Sequence, residues 1–354
     1  MPPKKRVTVM RDVAQLAGVS HQTVSRVLNE HPNVKAETRT RVLEAMKSLN
    51  YRRNLAARAL VTKRSHLVGL IGFETARFGP AALLDGVEEA ARAAGYLVSI
   101  ATIRTREHRE VVDAVHRLAQ HGVDGIIAAT PQPAVTSGIL QARSGLPVVA
   151  IGGTHDPAAD STVRGDNVNG ARLATRHLLD LGHHTVHHVA GPQDWPEAQE
   201  RVAGWRDVLA TAGVPIPAVE FGAWTSEWGH RRGRDLACDP AVTAIFCASD
   251  RIALGVLRAL HEAGRKIPED VSVVGCDDLP DAGNFLPPLT TVRQDFAEVG
   301  RRSFALLLER MSDQDEAASA THLVVAPELV VRASTAPPAA GRLPRLWGPG
   351  QPGS

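Results

Sequence analysis

GVSHQTVSRVLN, residues 18–29, sets three apolar side chains, Val24, Val27 and Leu28, against five polar ones, His21, Gln22, Ser25, Arg26 and Asn29. That spacing is one face of an α-helix, so the five polar groups are left on the other face. Ser20 is placed to cap the helix, and Gly18 permits a sharp turn before it. Upstream, Arg11 to Ala17 reads as a first short helix. Downstream, about Ala36 to Leu49 reads as a third. The three patterns offer one small core: Val13, Ala14 and Leu16, then Val24, Val27 and Leu28, then Val42, Leu43, Met46 and Leu49. Two short helices joined by a very short Gly turn form a helix-turn-helix.

The polar face suits one task. A helix fits the major groove of B-DNA, where Gln pairs with adenine and Arg with guanine, while Ser and Thr hydroxyls hold phosphates. Charge agrees. The chain of 354 residues carries a net +2, yet up to Ser65 fourteen basic residues stand against four acidic ones, +10, which leaves −8 for the remainder. A basic head on a larger acidic body suits a polyanion-binding module tethered to something else. With 44% apolar and 22% charged residues the balance is that of a soluble globular protein long enough for two or three domains. There is no long apolar run, and the basic start MPPKKRVTV has no apolar region behind it, so a cytoplasmic protein is expected. Cys238, Cys247 and Cys276 lack any Cys-x-x-Cys spacing and suit small buried groups in a reducing compartment.

Beyond residue 65 apolar strand-like runs (67–73, 96–103, 124–130, 147–152, 185–191, 244–249, 271–276) alternate with helical patterns (81–94, 108–121, 134–143, 169–181, 197–212, 251–263). Alternating βα units imply parallel sheets covered by helices, with any ligand at the carboxyl ends of the strands. Ser249, Asp250 and Asp277 fall at those ends. The run His183, His184, His187, His188 spans a helix end and a strand start, where alternation separates His187 from His188, so no metal site is expected. No G-x-G-x-x-G, G-x-x-x-x-G-K-[ST] or G-x-S-x-G pattern occurs, which counts against a nucleotide-dependent enzyme or a serine hydrolase; no cofactor is expected.

DVA..AGVS..TVSRVLN, TR.RV..A...LNY, GVDGIIA, RVAGW, ASDRIALGVLRAL, IPEDVSVVGCDDLP and PPLTTVRQDFAEVG are long, ordered motifs. Together they make the chain resemble the LacI/GalR family of bacterial transcription regulators over roughly Val9 to Arg332. The resemblance implies an all-α helix-turn-helix head, residues 8–53, and a hinge helix and linker, 54–65. It also implies an α/β two-lobed, periplasmic-binding-protein-like body with parallel sheets, 66–328, which binds the effector and dimerises. The lobes are expected at 66–164 plus 292–328 and at 165–291, with three chain crossings. His21, Gln22 and Arg26 would read bases. Ser20, Thr23, Ser25 and Asn29 would support or touch phosphates, as would Tyr51, although Thr23 and Tyr51 could equally be packing residues. In the hinge, Leu60 would wedge into the minor groove from a helix lined by Asn54, Ala57 and Arg58. Arg201 and Asp277 would clamp an effector, Trp224 would stack on a sugar, Phe78 and Phe296 would be apolar walls, and Ser249 would contribute a hydroxyl. An ion pair between the lobes or a helix cap remains an alternative for each carboxylate, and a core position for Trp224. Lys35 stands where the family usually has a Ser cap, and Arg53 where many members have Pro. The implied partners are a pseudo-palindromic double-stranded operator, a small carbohydrate, and a second copy of the chain. Rival classes are a sugar-binding protein without DNA function and a sugar-processing enzyme. The tail 336–354, rich in Pro and Gly, is expected to be disordered, and it lacks the leucine heptads of a tetramer bundle.

Overall fold

The structure, a computed structural model, describes residues 8–28, 31–51, 64–73, 78–105, 107–129, 133–143, 145–152, 161–312 and 320–339. It divides into two units, Met1–Ser65 and His66–Ser354.

In the first unit α1 (Met10–Ala17), α2 (His21–Leu28) and α3 (Ala36–Ser48) enclose Val13, Ala14, Ala17, Val24, Val27, Val42 and Ala45. Met10, Leu28, Met46, Leu49 and Tyr51 pack around them. Gly18 closes α1 in the left-handed region, φ 63°, which a side chain would resist. The Ser20 hydroxyl accepts from the Thr23 N–H at 3.1 Å, the expected cap of α2. The N-cap position of α3 is Lys35, with no side-chain cap. Two expected core residues are not in the core: Leu16 is 55% and Leu43 51% exposed. At about 100° per residue, the inward arc of α1 is centred among Met10, Val13, Ala14 and Ala17, and Leu16 lies off it. Leu43 is displaced in the same way from Val42, Ala45, Met46 and Leu49. Ala17 and Ala45 take their places because small residues let three short helices approach closely.

In the second unit β1 (Leu67–Phe73), β2 (Leu97–Ile103), β3 (Ile126–Ala129), β4 (Val148–Ile151), β5 (Ser161–Gly165) and β10 (Thr321–Val325) form one sheet in the order β10-β5-β4-β3-β1-β2. The second sheet has the order β11-β9-β8-β7-β6. Its strands are β6 (His187–Val189), β7 (Ala244–Cys247), β8 (Ser272–Asp277), β9 (Thr290–Arg293) and β11 (Glu328–Val330). Pairing is parallel throughout except between β9 and β11. Strands buried on both faces explain the near-continuous apolar runs LVGLIGF and AIFC. Helices α4 (Phe78–Ala93), α5 (His108–Gln120), α6 (Pro133–Ala142) and α11 (Phe296–Ser312) accompany the first sheet; α7 (Asn167–Asp180), α8 (Pro196–Thr211), α9 (Ser226–Ala237) and α10 (Asp250–Glu262) accompany the second.

The chain passes between sheets after Gly165, after Arg293 and after Val325. An expected boundary at 291/292 therefore cuts β9, which belongs to the second sheet through Arg293. The body runs past 328, and the ordered chain continues beyond 336 to at least 339. The Ser334 Oγ donates to the Val273 carbonyl at 2.6 Å and the Ala336 N–H donates to Ser272 Oγ at 3.0 Å, because these residues satisfy backbone groups beside β8. Residues 340–354 lie outside the described part. Cys247 and Cys276 are buried, whereas Cys238 at the end of α9 is exposed.

Candidate functional site

On α2, His21, Gln22 and Arg26 are exposed, Thr23 and Ser25 are half-buried, and Val24 and Val27 are buried. Exposed donors and acceptors thus share one side of a helix whose other side is anchored in the head's core. Thr23 faces Ser20, Oγ to Oγ1 at 2.9 Å. Tyr51 is half-buried and packs against the core cluster. Asn29, Asn54, Ala57, Arg58 and Leu60 lie outside the described residues.

A cleft of about 200 Å³ opens between the two sheets of the body, and Phe78, Arg201, Trp224, Ser249, Asp277 and Phe296 all line it. These six come from distant stretches of sequence. Chain passage between the sheets brings them together. Arg201, in the second turn of α8, is buried; its Nη2 donates to Asp277 Oδ1 at 3.2 Å and its Nε to Asn167 Oδ1 at 3.1 Å, and Nη1 also donates to the Ala248 carbonyl. The ion pair therefore lies within the second lobe and does not bridge lobes. Burial pushes the Asp277 carboxyl upward, opposed by Arg201. The Asp277 backbone, at φ 108°, and that of Asp278, at φ 54°, are strained. Asp278 anchors the turn through Arg293 at 2.8 Å and Arg332 at 2.6 Å.

The Trp224 indole lies under the Arg201 guanidinium, 5.5 Å from its centroid, and meets the Trp195 ring edge-on at 6.0 Å. Trp224 also rests on Gly191, where a Cβ would come within 2.3 Å of the indole. From the first lobe Phe78 and Phe296 form a second perpendicular pair at 6.0 Å. Ser249 caps α10, accepting from the Ile252 N–H at 3.3 Å. Asp250 is buried behind the cleft, accepting from the Leu279 N–H at 2.7 Å and from the Thr291 hydroxyl. Burial raises its carboxyl to about 8, and its two hydrogen bonds tie the start of α10 to β9 and to the turn after β8.

Sequence reading passed over Trp195, Glu197, Glu200, Arg164, Asn167 and Gln294, which also line the cleft. One signal was available: Pro196 opens α8, so Glu197 falls in its first turn, one turn before Arg201 on the same face. The histidines diverge. His188 stacks on Phe246 at 4.7 Å and is pushed down to about 4 by burial, and His183 donates to the Ala336 carbonyl at 3.1 Å. Among the described residues no His, Cys, Asp and Glu cluster could hold a metal, and no helix is long and apolar enough to cross a membrane.

Comparison with known proteins places both units. Residues 9–54 match the model of bacterial regulatory proteins of the lacI family, and residues 175–335 match a periplasmic binding protein-like domain. The chain is 34% identical to the lactose operon repressor of Escherichia coli (strain K12), covering 86% of this chain and 84% of that protein. The chain belongs to the lacI family of bacterial regulatory proteins. This LacI-family chain is also 35% identical to the HTH-type transcriptional regulator CelR of Thermobifida fusca, over 94% of this chain and 99% of CelR. It is 32% identical to the HTH-type transcriptional repressor PurR of Haemophilus influenzae, over 93% and 98%. Its structure matches that of the lac repressor dimer bound to operator and the anti-inducer ONPF with a TM-score of 0.81 at 31% identity, over 94% and 100%. It matches a CelR–cellobiose complex at 0.69 and 34% identity, over 92% and 99%. These relatives are transcriptional regulators, not enzymes, and this LacI-family chain is a DNA-binding transcriptional regulator.

Proposed function

We propose that this regulator is a cytoplasmic repressor of carbohydrate-utilisation genes, released from its operator by a galactoside or β-glucoside. The observation that carries the reading is the convergence of Arg201, Asp277 and Trp224 in the cleft. A fixed guanidinium and carboxylate offer several directed bonds to sugar hydroxyls, and an indole face takes the apolar face of a pyranose ring. Phe78 and Phe296 form the opposite wall, and Ser249 contributes a hydroxyl. The CelR–cellobiose complex supports a β-glucoside.

Two copies pair through their bodies and present two heads to a pseudo-palindromic site, since dimer symmetry requires half-site symmetry. Residues 8–53 form the DNA-binding domain, 54–65 the hinge, and the body extends from 66 to about 336. His21, Gln22 and Arg26 read bases; Ser20, Thr23, Ser25, Asn29 and Tyr51 position the head; Leu60, with Asn54, Ala57 and Arg58, enters the minor groove from the hinge. A saccharide in the cleft favours a lobe arrangement in which the hinges no longer pack on DNA, and operator binding weakens saccharide affinity by the same factor. Gel-shift titration of the full chain on its operator, competed by random DNA and repeated with a panel of galactosides and β-glucosides, tests this. Equal affinity for all duplexes, or indifference to every saccharide, would remove it.

A further inference from the structure

Carboxyl groups outnumber guanidiniums among the residues that line the cleft, and Asp295 is also paired outside it with Arg301 at 3.8 Å. Four carboxylates, Glu197, Glu200, Asp277 and Asp295, face three guanidiniums, Arg164, Arg201 and Arg251. Two of the guanidiniums are already engaged: Arg201 with Asp277 at 3.2 Å, and Arg164 with Glu200 at 3.6 Å. Glu200 also accepts from Asn167 Nδ2 at 2.9 Å. Arg251 is exposed in the first turn of α10 and shares its field with Glu227. Glu197 is different. Its Oε2 is buried and has no hydrogen-bond partner among the described residues. An unpartnered buried polar atom in a native site is costly unless something else satisfies it.

We infer that the Glu197 carboxyl is a specificity-determining group of this cleft, hydrogen-bonding a hydroxyl of an uncharged saccharide and excluding saccharides that carry a phosphate or carboxylate. The inference rests on the reading of the cleft as a saccharide site and adds the chemical class it admits. A sugar hydroxyl can donate to Glu197 when it is ionised and accept from it when it is protonated. Burial raises this carboxyl to about 7, against the pull of its own backbone N–H and Arg201, so both forms are accessible near neutral pH. A fully ionised phosphate or carboxylate can only accept, so it pairs with Glu197 only when that carboxyl is protonated and is repelled when it is ionised, and the charges of Arg201 and Arg164 are already balanced by Asp277 and Glu200. Aromatic walls on both lobes add no positive charge.

Calorimetric titration of the full chain with cellobiose and lactose, each beside its 6′-phosphate, tests the assignment. The parent should bind at least one of the neutral sugars, and its phosphate more weakly by at least about tenfold. Glu197→Gln keeps the shape and a hydrogen-bonding group but loses the charge, and it should bring the two members of the pair within about threefold. Glu197→Ala should weaken the neutral sugar by about tenfold. A thermal melt of each variant checks folding, and the isosteric Gln variant carries the test if the Ala variant does not fold. A Gln variant that keeps the parent's discrimination, or a parent that prefers the phosphate, overturns the role of Glu197 alone. A parent that binds none of the four sugars overturns the saccharide reading beneath it.

Discussion

Asp277 cannot be tested by simple truncation, because Arg201 is buried beside it. Asp277→Ala would leave a buried guanidinium hydrogen-bonded only to the neutral Asn167 and Ala248, a change that costs about 3–5 kcal/mol. Asp277→Asn is the cleaner probe: it should retain operator binding in a gel shift while losing release by saccharide, and normal release would refute the clamp. On the other unit Arg26→Ala should reduce discrimination between operator and random DNA by about 1–3 kcal/mol per half-site, with non-specific affinity much less affected. Asp250 makes a prediction about pH. Its folded carboxyl titrates at about 8 against an ordinary 3.8, chiefly because it is buried, with Asp277 adding to the effect. Between those values the unfolded chain is ionised while the folded chain keeps the proton, so this group makes stability fall as pH rises through the window. Asp250→Asn, which mimics the protonated acid, should give a flatter stability profile between pH 5 and 8 in urea unfolding. An unchanged slope would show that Asp250 is ionised when folded. None of these contacts was written in the local sequence. Asp250 and Asp277 look alike at strand ends, and only burial against Thr291 and Leu279 makes one structural and the other a lining group.

At the level of elements, periodicity located the helices of the head and most elements of the body, because each buries a continuous face. It failed where burial is achieved by small residues. Ala17 and Ala45 are in the core while Leu16 and Leu43 are exposed, since an apolar count cannot tell which of two neighbouring arcs three short helices will share. It also passed over α11 and α9, whose SEWGHRRGRDLA pattern is mostly polar yet packs closely on α10, and β5, β9, β10 and β11, which lean on strands far away in the chain. The uncapped start of α3 offers an element-scale test. Lys35→Ser should supply the missing side-chain acceptor and stabilise the head by about 1 kcal/mol. Thermal unfolding followed through the head should shift upward; no shift would mean that the loop before α3 does not allow cap geometry.

For the whole molecule, β2 is one of the two edge strands of the first sheet, and Leu97 and Ile100 on it are 64% and 47% exposed. An apolar edge of this kind is a pairing hazard unless it is covered. If the body dimerises through this edge, Leu97→Glu should convert the protein towards monomer in sedimentation velocity and weaken operator binding steeply, because one head alone holds half a site. A dimer that persists unchanged would move the interface elsewhere.

Local order alone determined the helix-turn-helix, the head's charge and the βα alternation of the body, because capping, periodicity and ionisation depend on residues a few positions apart. The motifs also brought Arg201, Trp224 and Asp277 forward as candidates. Tertiary structure decided which leucines the head buries, where β9 and the C-terminal strand belong, and that Arg201 pairs with Asp277 inside one lobe. It alone exposed Glu197 as a carboxyl with one buried oxygen that has no hydrogen-bond partner among the described residues. Burial and pairing are set by chain segments that meet only after three passages between the sheets, and no local pattern encodes that meeting.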